Sequence, residues 1–176
     1  RGKEAESLFK AAIAHIGAHL TYSTGKFPVG SLKPVQIALV SILEDSRVER
    51  LAGQHYPGLL RLWRSLHKAE ANGPALAEPL LARLARALID PDYHDGNPWI
   101  AKAREMFEAC GPMWDDPKRL RELGVLLGND LGQMRVQFNP KTYLVQPPYR
   151  DDNLGIWDFG EPPPETADDP DVVHVS

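Results

Sequence analysis

Ser31-Leu32-Lys33-Pro34-Val35-Gln36-Ile37-Ala38-Leu39-Val40-Ser41-Ile42-Leu43 is the stretch that decides the fold. Between Val35 and Leu43 only Gln36 and Ser41 are polar. Ser31 is a suitable N-cap, Pro34 sits in a first turn where its missing N–H costs nothing, and Glu44-Asp45 closes the run. Val35, Leu39, Ile42 and Leu43 make one helical face, while Ile37 and Val40 lie on other sides. A helix apolar nearly all round belongs in the middle of a domain. A short buried strand is the competing reading of so brief a run. Flanking helical patterns favour the helix, and the run is far too short to cross a membrane.

Working outward toward the start, Glu4 to Tyr22 reads as an amphipathic helix, with Phe9, Ile13, Ile16 and Leu20 as its inward stripe. Gly25, Pro28 and Gly30 mark a turn-rich connection to the central run. Beyond Leu43, a short helix is expected to Ala52, then one over Tyr56–Ala71 and another over Ala75–Ile89 with Leu80, Leu84 and Leu88 inward. Asn97-Pro98 and Asp116-Pro117 are two N-caps with proline at the first helical position. They open helices carrying Ile100, Ala103, Phe107 and Cys110, and then Leu120, Leu123, Leu127, Leu131 and Met134. Gly124, Gly128 and Gly132 recur every four residues in the second. Each costs about 1 kcal/mol relative to alanine in a helix interior, so the pattern means either a close-packed neighbour or a break at Gly128-Asn129.

After Arg135 the grammar changes. Val136–Phe138 and Thr142–Val145 have the composition of two short strands around Asn139-Pro140, a candidate hairpin. From Gln146 onward six prolines appear and helical periodicity is lost. Eight of the chain's acidic residues fall between Arg150 and Ser176, against one basic residue. The rest of the chain therefore holds 19 basic and 16 acidic residues, about +3, although the whole carries −4. Three segments follow: a helical domain over 1–135, a hairpin or connector over 136–149, and an extended acidic, proline-rich arm over 150–176. The expected fold is mainly α, six or seven helices around a buried central helix.

At 176 residues, with 43% hydrophobic and 25% charged content, this is the composition of a globular chain. A single cysteine, Cys110, leaves no intrachain disulfide and no cysteine-based metal site, which fits a reducing, cytoplasmic setting. Cys110 sits on an inward stripe and reads as a core residue. Glycine-rich phosphate loops and the serine nucleophile motifs are absent.

His15 and His19 are one helical turn apart, a spacing that can hold a metal. A third ligand such as Glu4, His67, Glu70 or Asp95 would have to come from tertiary contact. They are read instead as boundary histidines, so no metal or cofactor is assigned. His55, His94-Asp95 and Asp130 stand in the order of the ligands of the HD phosphohydrolases, helical metal enzymes that the His94-Asp95 dipeptide resembles. That resemblance implies an all-helical metal-dependent phosphohydrolase. Here, however, the dipeptide lies in a turn-rich loop between Pro91 and Pro98.

Basic residues line three helix faces: Arg61, Arg64 and Lys68; Arg83 and Arg86; and Lys118, Arg119, Arg121 and Arg135. They would be solvated faces, or a surface for nucleic acid or an acidic peptide. The arm carries Tyr149, Leu154, Ile156, Trp157 and Phe159 among its acids, and aromatic residues of this kind dominate interface energetics. The leading expectation is a non-catalytic subunit or adaptor holding another protein chain, identical or different, through these five residues. The phosphohydrolase and a nucleic-acid-associated protein are the alternatives.

Overall fold

The computed structural model describes residues 1–111 and 114–161. Six α-helices appear among them: α1 (Gly2–Tyr22), α2 (Pro34–His55), α3 (Pro57–Leu66), α4 (Ala77–Ile89), α5 (Pro98–Ala109) and α6 (Pro117–Gln133). The fold is mainly helical, as composition and periodicity predict. None of these helices is long and apolar enough to cross a membrane.

α2 is the axis of the molecule and packs on α1, α3, α4 and α6. Its first turn is closed two residues later than expected. Lys33, not Ser31, is the N-cap, Pro34 follows at the first helical position, and the Lys33 N–H donates to Gln36 Oε1 at 2.8 Å. Glu44-Asp45 does not end the helix either. α2 continues for 22 residues, and Glu44, Asp45, Ser46, Arg47 and Glu49 are all buried in its middle. These polar groups find partners within the protein: Arg47 for Glu44 inside α2 itself, and residues of other segments for Asp45 and Glu49.

Two apolar clusters flank α2. The larger joins Leu39, Val40 and Leu43 to Leu80, Leu84 and Leu88 of α4, Ile100 and Phe107 of α5, and Leu120, Leu127 and Leu131 of α6. The smaller gathers Ala11 and Ala18 of α1, Val48, Trp63 of α3, Ile89 and Tyr149. α5 and α6 start as their caps dictate. Asn97 Oδ1 accepts from the Trp99 N–H at 2.9 Å, and Asp116 Oδ1 from the Lys118 N–H at 3.0 Å. α6 runs unbroken through Gly128-Asn129. α3 is shorter than expected and ends at Leu66.

Two expectations are corrected. The stripe Phe9, Ile13, Ile16 and Leu20 faces outward, and α1 buries Ala11, His15 and Ala18 instead. The hairpin over 136–145 does not form: Asn139 O accepts from the Thr142 and Tyr143 N–H groups in a turn. The strand pairing among the described residues lies elsewhere, between β1 (Phe27–Pro28) and β2 (Trp157–Asp158). They run parallel with Phe27 opposite Trp157. The residues from Pro162 onward, and with them most of the acidic arm expected over 150–176, lie outside the described residues.

Candidate functional site

α1 and α2 meet across a polar centre rather than an apolar seam. His15 and His19 stand one turn apart on α1, and Asp45 and Glu49 one turn apart on α2, so each pair shares a face. His15 Nε2 lies 3.1 Å from His19 Nε2 and 3.1 Å from Asp45 Oδ1, and His19 Nε2 lies 2.8 Å from the same oxygen. The three atoms form a triangle. His15 and Asp45 are buried, and the His19 side chain is 13% exposed. Among the described residues this is the one group of three or more His, Cys, Asp or Glu side chains whose ligand atoms converge.

The outer partners orient these side chains. Ser23 Oγ donates to Glu44 Oε1 at 3.0 Å and stands 2.9 Å from His19 Nδ1. With its proton committed to the carboxylate, Ser23 accepts from the His19 Nδ1–H. Glu44 is itself held by the Arg47 guanidinium. His15 Nδ1 lies 2.9 Å from Glu49 Oε2 but off the line of a good hydrogen bond. Asn153 Nδ2 donates to Asp45 Oδ1 at 2.7 Å. Asn153 has φ +55, a left-handed conformation that asparagine tolerates better than most residues.

The C-terminal segment completes the centre. Arg150 Nε donates to Glu49 Oε2 at 2.9 Å, and the Tyr149 hydroxyl donates to Glu49 Oε1 at 2.6 Å. Tyr149 in turn accepts from His67 Nε2 at 3.1 Å. Burial, with Arg150 close by, pushes His67 down to about 3, so it is neutral and free to donate there. Burial would raise the carboxyl pKa values, but His15 and Arg150 overcome it. Glu49 falls to about 2, and Asp45 is held well below the usual carboxylate range. Burial disfavours the cationic form of His15 too, yet Asp45 and Glu49 raise it to about 9. Two carboxylates thus face one guanidinium and the His15 ring, whose proton supplies the second positive charge when no other cation is present.

The arm residues fall into two groups. Tyr149, Ile156 and Trp157 are buried in this chain's own core, with Trp157 Nε1 donating to Ser41 Oγ at 3.2 Å. In this chain they pack inward beside Arg150 and Asn153, which with Trp157 bond Glu49, Asp45 and Ser41 of α2. Leu154 and Phe159 are exposed. The nearby acids act as turn formers: Asp151 Oδ1 accepts from the Asn153 N–H, and Asp158 Oδ1 from the Gly160 N–H, each at 2.9 Å.

The phosphohydrolase constellation is not assembled. Asp95 is bound by Arg83, by Tyr93 and by the Asn97 N–H, while Asp130 pairs with Lys102 at 2.7 Å. The basic faces are divided: Arg61, Lys68, Lys118, Arg119 and Arg135 are exposed, while others bond backbone carbonyls. Arg64 donates to Ile89 O, Arg86 to Ala69 O and Arg121 to Pro28 O. Sequence reasoning took Asp45 for a helix end and so missed it as the partner of His15 and His19. The matched i, i+4 spacings of His15/His19 and Asp45/Glu49 were the available signal.

Outside the centre, one surface feature stands out. Phe9, Ile13, Ile16 and Leu20 are 66, 54, 52 and 83% exposed along a single face of α1. Gly17 sits among them with nothing within 4 Å of where a Cβ would be.

No protein-family model, curated protein or solved structure matches this chain.

Proposed function

We propose that this chain is a non-catalytic helical subunit of an intracellular protein assembly, and that it associates with a second copy of itself through the outward face of α1. The observation that carries this reading is the exposed stripe Phe9, Ile13, Ile16 and Leu20. Four large apolar side chains in one row are costly to leave in water, at about 25 cal/mol per Å² of apolar surface. Their spacing of four, three and four residues is the seam of a helix pair.

The choice of occupant follows from that spacing. It is symmetric about its midpoint, so an antiparallel copy of α1 sets Phe9 beside Leu20 and Ile13 beside Ile16 of the other chain. A two-fold interface requires such a self-complementary pattern. Gly17 lets the backbones approach. The buried Cys110 fits a reducing compartment.

Light scattering coupled to size-exclusion chromatography tests this. The wild-type chain is expected as a dimer, and the double variant Ile13→Glu/Ile16→Glu as a monomer with unchanged helical circular dichroism. Mixing Phe9→Cys with Leu20→Cys chains under oxidation should give the mixed disulfide. A wild-type chain that stays monomeric at all accessible concentrations overturns the proposal.

A further inference from the structure

We infer that His15, His19 and Asp45 form a binding site for one divalent transition-metal ion of the zinc type, clasping α1 to α2.

The argument begins with hydrogen atoms. Ser23 gives its proton to Glu44, so the neutral His19 ring must carry its hydrogen on Nδ1. Glu49 is a carboxylate, which can only accept, so the His15 hydrogen facing it is also on Nδ1. With both rings neutral, both Nε2 atoms present lone pairs to each other and to Asp45 Oδ1, at 2.8–3.1 Å. Three acceptors converging on one buried point repel unless something positive lies between them.

Charge leads to the same place. Arg150 pairs with Glu49 and Arg47 with Glu44, so at Asp45 the facing groups are the two imidazoles, and the positive charge there is either a proton on one of them or a bound cation. A cation at the triangle supplies that charge. The donor set is two imidazoles and one carboxylate, which borderline divalent ions prefer and which leaves at least one coordination position open. Ligand atoms about 2.1 Å from a shared ion lie roughly 2.9–3.4 Å apart for angles between 90° and tetrahedral. The triangle needs to open by only a few tenths of an ångström.

The surroundings have the form of a metal site's outer shell. His19 turns its other nitrogen to Ser23 in a hydrogen bond that orients its ring and raises ligand basicity, and His15 Nδ1 faces Glu49 in an ionic contact off the hydrogen-bond line. Asn153 donates to the ligating oxygen of Asp45 and holds its rotamer. The partly exposed His19 edge offers a way in from solvent. Asp45 also lines a groove of about 390 Å³ with Ile37, Ser41, Tyr143 and Val145.

A proton is the competing occupant, and the experiment separates the two. The untagged full chain, stripped with a chelator, is titrated with zinc chloride by calorimetry and with cobalt(II) by visible absorption. The expected result is one ion per chain, a cobalt d–d band in the visible, and a melting temperature that rises with zinc and falls back with chelator. His19→Ala removes a ligand at the least buried position and should weaken zinc binding by about 100-fold or more. Ser23→Ala leaves all three ligands in place but frees the His19 ring, and about a tenfold loss is expected. It also provides a reading if His19→Ala perturbs folding. A folded wild-type chain that takes up neither ion, or zinc binding unchanged in both variants, overturns the inference and leaves the centre balanced by a proton on His15.

Discussion

Gly124 of α6 lies so close to Val40 of α2 that a Cβ placed on it would stand 2.3 Å from Val40 Cγ2 and 3.2 Å from Val40 N. Four residues on, a Cβ on Gly128 would meet Gln36 Cγ at 2.6 Å. Gln36 bridges there to Asn129 Oδ1 at 3.1 Å. Two glycines of the three therefore exist for close helix approach. Gly132, the third, has nothing within 4 Å.

A paired substitution follows from this difference. Gly124→Ala must push α6 off α2, an overpacking cost of about 1–3 kcal/mol that outweighs alanine's better helix propensity. Gly132→Ala should instead be neutral, or stabilising by up to about 1 kcal/mol. Thermal melts of the two variants should move in different directions. Equal shifts would contradict the close-packing account.

Removing the segment after Pro148 should unfold the protein. That truncation takes away Tyr149, Arg150, Asn153 and Trp157 together and leaves Glu49 buried with its two principal donors gone. Breaking a buried pair from one side costs roughly 3–5 kcal/mol, a large share of a typical domain's stability. A chain ending at Glu161 should keep the helical circular dichroism and melting temperature of the full chain. If the chain ending at Pro148 melts like the full one, residues 149–158 are not part of the core.

Asp95 gives the molecule an acid-sensitive joint. Burial would raise its pKa, but hydrogen bonds from Arg83, Tyr93 and the Asn97 N–H bring it down to about 2 from an ordinary 3.8. A carboxylate whose pKa is lower in the folded state stabilises fully above the ordinary value and less as pH falls through the folded one. Stability should therefore drop between about pH 4 and pH 2, with Glu49 contributing in the same window. Asp95→Asn should lose on the order of 2 kcal/mol at neutral pH and show a shallower acid transition. An acid titration as steep as wild type would argue against this role.

Trp63 joins α3 to α1 and should be among the least tolerant core positions. It is fully buried, and its Nε1 donates to Ala11 O at 3.0 Å. Trp63→Phe keeps most of the volume but removes the second hydrogen bond to that carbonyl, which keeps its helical one, at about 0.5–1.5 kcal/mol. Trp63→Ala should cost about 3–5 kcal/mol. Chemical denaturation of the two variants distinguishes packing from hydrogen bonding.

The helices after α2 were legible because their boundaries are local. Asn97-Pro98 and Asp116-Pro117 cap the backbone that immediately follows them, and no distant residue can alter that chemistry. The direction in which α1 faces was not legible. Phe9, Ile13, Ile16 and Leu20 carry the apolar periodicity, but α2 offers α1 the carboxylates of Asp45 and Glu49 at that level. A face holding His15 and two alanines suits those carboxylates better than four large hydrocarbons. The same reason hid the length of α2. Glu44 through Glu49 reads as a polar helix end unless Arg47, Arg150, Asn153 and the two histidines are known to gather on it. Those partners lie as far as a hundred residues away, beyond any local pattern.

The pairing of Glu49 with Arg150 spans 101 positions, and this sets an order of events as the chain emerges from the ribosome. The acid is made early, in the heart of the central helix, and its counter-ion is made only after all six helices have been synthesised. Without Arg150 the Glu49 carboxylate would lose its guanidinium partner in the buried middle of α2. Such distant closure lengthens the search for the native arrangement. Burial of the middle of α2 is therefore coupled to the docking of residues 149–157, a hundred positions downstream.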